Sequence, residues 1–92
     1  DGSVIRLSFP PLTEERRKEF VKECRAYAEE SRVAVRNARR DANTAVEKAV
    51  KNDGLPEDEQ RRAEAEIQKL TDAAIAKIDA HLVKKEEELM SI

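Results

Sequence analysis

An all-α fold, a long antiparallel helical hairpin preceded by one short strand, is what this sequence predicts, and three observations carry the reading. Two glycines and three prolines are all that 92 residues contain, and neither type occurs between Phe20 and Gly54, so nothing in that stretch breaks a helix. Small and apolar side chains recur at steps of three and four along two segments joined by a short polar turn, which is the pattern of two helices with one buried stripe each. Charged residues make up 41% of the chain and aromatic ones 3%, too little bulk for the thick core of a compact all-β or α/β enzyme.

The elements follow in order. Ile5, Leu7 and Phe9 alternate with Arg6 and Ser8, a period of two that predicts one short strand with a single buried face. A lone strand needs a partner, so it either joins another chain's sheet or ends a β-rich module whose remainder lies upstream, the second reading being preferred. Pro10 and Pro11 stop it, since neither donates a ladder hydrogen bond and both fix φ, and they read as a stiff hinge. Residues 1 to 11 are accordingly set apart from a helical domain over 12 to 92.

Thr13, followed by Glu14 and Glu15, has the chemistry of a helix start: a hydroxyl for the orphan amides and acids at the positive end of the dipole. The first helix is expected over about 13 to 52. Val21, Cys24, Ala28, Ser31, Val35, Ala38, Ala42, Ala45 and Ala49 form a heptad seam of mostly small side chains, widened by Phe20, Tyr27, Val46 and Val50. Asn52, Asp53, Gly54 and Pro56 then close one helix and open the next, expected over about 57 to 90. Its stripe is Ala63, Ile67, Leu70, Ala74, Ile78, Leu82 and Leu89, with Ile75 beside it. Two single-stripe helices enclose no core, so a third helix or a second copy of the hairpin is expected to cover the groove between them.

Charge is unevenly divided. Residues 13 to 51 carry 11 Lys and Arg against 8 Asp and Glu, whereas residues 52 to 92 carry 6 against 11, and the whole chain is at −2. A generally basic nucleic-acid coat is thereby excluded, and any charged function must be local. Arg25, Arg32, Arg36, Arg39 and Asn43 share one face of the first helix, with Arg40 on its edge. Forked guanidinium groups match phosphate oxygens and stack on bases, which makes RNA a reasonable target. The plainer reading, favoured by composition alone, is a solvated face whose arginines pair with acids one turn away, such as Glu29 with Arg32 or Arg36.

Other sites are weaker. One cysteine and one histidine cannot build a zinc or thiol-redox centre, so no metal or cofactor is expected; Cys24 reads as a small core residue and His81 as a surface one. No nucleophile constellation or glycine-rich phosphate loop occurs, which argues against an enzyme. No uncharged stretch approaches a membrane span, and no basic-then-apolar leader opens the chain, so the expected setting is the cytoplasm, with no membrane partner.

Three blocks, PPLTEERRKEFVKE at 10 to 23, VAVRNARRDAN at 33 to 43 and EIQKLTDAAIAKID at 66 to 79, together with KKEEELM at 84 to 90, resemble bacterial ribosome recycling factor over nearly the whole chain. The resemblance implies a two-domain translation factor in which a three-helix bundle joins a small β-rich domain through two hinge segments. Residues 4 to 9 then correspond to the end of the β-rich domain, Pro10 and Pro11 to part of a hinge and residues 13 to 92 to the second and third bundle helices, and the first bundle helix has no counterpart in this chain. It further implies action with elongation factor G and GTP to disassemble the post-termination ribosome. Arg36, Arg39 and Arg40 of VRNARRDAN match the segment that contacts large-subunit ribosomal RNA, with Asn37 and Asn43 as polar neighbours; Arg25 and Arg32 are added from helix geometry. The competing expectation is a structural helix–helix association module without RNA binding. In either case the isolated 92 residues are expected to self-associate or dock on a partner.

Overall fold

The computed structural model describes residues 13 to 91 and contains two helices, α1 over Glu14–Asp53 and α2 over Glu57–Met90, packed as an antiparallel hairpin. The strand expected at 4 to 9 and the Pro10–Pro11 hinge lie outside the described residues; among the described residues there is no strand.

The termini form where side-chain chemistry allows. Thr13 takes an extended backbone and its Oγ1 accepts the Arg16 amide at 3.1 Å, with Glu14 and Glu15 in the first turn. At the other end Gly54 adopts a left-handed backbone, φ 69° and ψ 28°. From there the Gly54 and Leu55 amides both donate to the Ala49 carbonyl, satisfying an acceptor that the helix end would otherwise orphan. Pro56 caps α2 without a side-chain bond, while its carbonyl accepts the Gln60 amide at 3.0 Å and Glu57, Asp58 and Glu59 complement the dipole. A Cβ at position 54 would meet no atom within 4 Å, so Gly54→Ala is penalised by its backbone conformation alone. The expected loss is about 1 kcal/mol in urea unfolding of the complete protein, with Gly54→Asn milder.

Forty residues at 1.5 Å each make α1 a rod about 60 Å long. The radius of gyration is 22.0 Å, against about 12 Å for a compact domain of this length. Such a shape encloses little. Only Ala28, 8% exposed, and Thr71, 5% exposed, are buried among the described residues. Thr71 was not part of the expected stripe; it tolerates burial because its hydroxyl donates to the Ile67 carbonyl at 2.7 Å within its own helix.

The heptad seam is occupied only in part. Val21, Cys24, Ala28, Val35, Ala42 and Ala49 are at least half-buried, whereas Ser31, Ala38 and Ala45 are exposed; Arg32, Arg39 and Val46, each one residue further on, are half-buried instead. A single partner helix covers only one side of a stripe this wide. α2 packs against the flank carrying Arg32 and Arg39, which leaves the opposite flank open. Along that open side runs an apolar groove. One part is lined by Cys24, Tyr27 and Ser31 from α1 and by Ile78, Leu82 and Lys85 from α2, with His81 beside them; the other by Val35, Ala38 and Ala42 facing Ile67, Leu70 and Ala74, with Arg39 at its edge. Tyr27 is 66% and Leu70 62% exposed, large apolar surface of the kind that marks a contact face. His81 is exposed, as expected, whereas Cys24, expected in the core, is only half-buried and lines the groove.

Candidate nucleic-acid interface

Arg25, Arg32 and Arg39 lie along one flank of α1, because residues seven apart return to nearly the same face, and Arg39 also reaches the edge of the open groove. α2 answers them with acids at matching intervals. Arg25 Nε donates to Glu86 Oε1 at 2.7 Å, and Arg32 Nη2 lies 2.7 Å from Asp79 Oδ1. Seven residues up α1 correspond to seven down α2, as an antiparallel register requires. Within α1, Glu29 holds two arginines at once, Arg32 at 3.0 Å and Arg36 at 2.8 Å.

These bonds set the local electrostatics. Hydrogen bonding to Glu86 raises the pKa of Arg25, and hydrogen bonding to Asp79, then Glu29, raises that of Arg32. The Glu29 carboxyl is held below its ordinary value, first by the hydrogen bond from Arg36 and then by that from Arg32. A depressed carboxylate supports the fold fully above its unfolded pKa, and that support is lost as pH falls through the lower folded value. All of these groups are open to solvent, so the support is small.

The structure thus divides the six residues read from the sequence. Arg25 and Arg32 clamp α1 to α2. Arg36 is tied to Glu29 yet remains 41% exposed. Arg39 is half-buried and Arg40 exposed, and neither makes an ion pair among the described residues. Together with Arg36, Asn37 and Asn43 they border a shallow recess on the α1 surface. Asn43 is half-buried, and its Oδ1 is buried without a donor among the described residues; to serve a ligand as an acceptor, the side chain would have to turn outward. The pairing of Glu29 with both Arg32 and Arg36 is the arrangement that the plainer reading expected. Sequence reasoning missed Asp79 and Glu86 as arginine partners, although their spacing of seven, equal to that of Arg25 and Arg32, carried the signal.

A second cation-lined recess lies where the helix ends meet. Arg17, Lys18, Val21, Lys22 and Met90 contribute to it, and the Arg17 guanidinium donates to the Met90 carbonyl at 3.3 Å. Among the described residues no group of His, Cys, Asp and Glu could hold a metal ion, and no helix is long and apolar enough to cross a membrane.

An elongated hairpin with a guanidinium-rich flank and an open apolar groove defines a helical-bundle module. The family model described as ribosome recycling factor matches residues 1 to 90. This chain belongs to the ribosome recycling factor family. It is similar to the ribosome-recycling factors of Geobacillus thermodenitrificans, at 58% identity, and of Parabacteroides distasonis and Oleidesulfovibrio alaskensis, each at 53%, in every case over all 92 residues. The chain spans about half the length of these curated relatives, 50%, 49% and 50% respectively.

Proposed function

We propose that this chain is the carboxyl-terminal half of a cytoplasmic translation factor that, with elongation factor G and GTP, disassembles the post-termination ribosomal complex. Family membership over residues 1 to 90 supports this reading. Within it, the recess formed by Arg36, Arg39 and Arg40 contacts large-subunit ribosomal RNA, with Asn43 beside it. The observation that carries the assignment is that Arg39 and Arg40 are left without acids on an otherwise paired flank. Guanidinium groups without internal partners have their hydrogen-bonding forks available for phosphate.

The factor itself makes and breaks no bonds. Phosphate contacts anchor the hairpin as a stiff rod, and the GTPase drives the β-rich domain about the hinge at Pro10 and Pro11. The direct test is light scattering of purified post-termination ribosomes mixed with the complete protein, elongation factor G and GTP. A fall in scattering is expected as subunits separate. No fall with active elongation factor G would contradict the reading.

The second reading, a helix–helix association module, draws on the open groove with its exposed Tyr27 and Leu70. In the whole factor that groove takes the remaining bundle helix. In the isolated 92 residues it takes a second hairpin, giving a four-helix arrangement. Sedimentation equilibrium of the isolated chain is expected to show association that grows with concentration. A concentration-independent monomer with full, cooperative helicity would overturn this.

A further inference from the structure

The paired flank is a ladder with one rung left open. In its two closed rungs, Arg25 with Glu86 and Arg32 with Asp79, residues are matched at intervals of seven in opposite directions. One further step pairs Arg39 with Asp72. That rung is not made. Asp72 Oδ1 instead accepts a hydrogen bond from Gln68 Nε2 at 2.8 Å along α2, and Arg39 has no ion pair among the described residues.

Helix geometry explains why the ladder stops there. An α-helix drifts by about 20° per heptad, and in an antiparallel pair the two partners drift in opposite senses relative to their contact line. The exposures record it. From the first rung to the second, the arginine side chain goes from 67% to 21% exposed, while the acid goes from 27% to 53%. At the third, Arg39 is half-buried and Asp72 is exposed. The acid has rotated outward, and a carboxylate on a short stem is held along its own helix by the residue four positions earlier.

The geometry points to Asp72 as an internal competitor for Arg39, and to Gln68 as the positioning residue that holds Asp72 aside and leaves Arg39 available to phosphate. This inference rests on the RNA-contact reading of Arg39. Its consequence is a graded control of affinity. Removing the charge in Asp72→Asn frees Arg39 completely. Lengthening the stem by one methylene in Asp72→Glu lets the carboxylate close the rung, and Gln68→Ala releases Asp72 to swing toward Arg39.

The test uses the complete protein binding to isolated large ribosomal subunits. Asp72→Asn is expected to bind about two- to five-fold more tightly than wild type, and Asp72→Glu and Gln68→Ala about two- to five-fold more weakly, the range of one exposed ion pair. Combining Gln68→Ala with Asp72→Asn is expected to restore the affinity of Asp72→Asn alone. Charge repulsion without a closing rung predicts equal affinity for Asp72→Glu and wild type, and that equality would overturn the inference. A double-mutant cycle on urea unfolding, Arg39→Ala against Asp72→Glu, separates the two levels because no RNA is present. Coupling is expected there, and its absence would also overturn the inference. If instead Arg39→Ala leaves subunit affinity unchanged while the coupling is found, the RNA reading fails and the rung stands.

Discussion

The complete protein carrying Arg36→Ala, Arg39→Ala and Arg40→Ala is expected to lose most of its affinity for the large ribosomal subunit and, with it, subunit-splitting activity. A hydrogen bond to a charged group contributes about 1.5–3 kcal/mol, so Arg39→Ala alone should weaken binding by roughly 10- to 150-fold. The triple variant should weaken it further, without strict additivity because the three side chains share one recess. The structure also ranks the arginines. Arg39 and Arg40 make no ion pair among the described residues, whereas binding through Arg36 competes with Glu29 at 2.8 Å. Arg25→Ala and Arg32→Ala are expected to act differently, through loss of the interhelix pairs to Glu86 and Asp79. Their effect belongs in stability and in the placement of the helices, measurable by urea unfolding before any ribosome is added.

Ala28→Asp is expected to open the hairpin. Ala28 is the one buried apolar residue among the described ones, 8% exposed, and it lies among Cys24, Ile78 and Leu82 at the contact between the helices, where a carboxylate would be largely taken out of water. Desolvating a charge in such a position costs about 3 kcal/mol, only part of which Lys85, on the rim of the same groove, can offset. A thin interface has few other contacts with which to absorb that loss. Thermal unfolding of the complete protein followed by circular dichroism should show a large drop in midpoint, while Ala28→Ser should be mild. A midpoint for Ala28→Asp within a few degrees of wild type would mean that the two helices do not meet at this position.

The helices and their turn were legible in the sequence because local chemistry determines them: a threonine before two acids, a glycine able to adopt φ 69°, and a proline opening the next helix. The stripe was legible in outline only. Periodicity identifies an apolar face but cannot say which side of it a single partner covers, so the heptad seam included Ser31, Ala38 and Ala45, which α2 leaves exposed. The arginine cluster was legible as composition. What distinguishes its members is the opposing helix: register sets acids opposite Arg25, Arg32 and Arg39 alike, but only the first two pairs close, Asp72 being turned to Gln68 instead. That register follows from a turn of three residues between two helices, and matching spacings of seven on α1 and α2 were present in the sequence before the hairpin was built. Thr71 had no apolar signal at all, its burial depending on a hydroxyl bond within the helix.

The central claim, that unpaired arginines of α1 hold ribosomal RNA by its phosphates, is most directly tested by the salt dependence of binding. Affinity of the complete protein for isolated large subunits is measured across a range of potassium chloride concentrations, for wild type and for Arg39→Ala. Each phosphate contact contributes roughly 0.7–0.9 to the slope of log affinity against log salt. Loss of one contact is therefore predicted to lower both the affinity and the magnitude of the slope by about that amount. An Arg39→Ala variant that folds normally and binds with an unchanged slope would contradict the account.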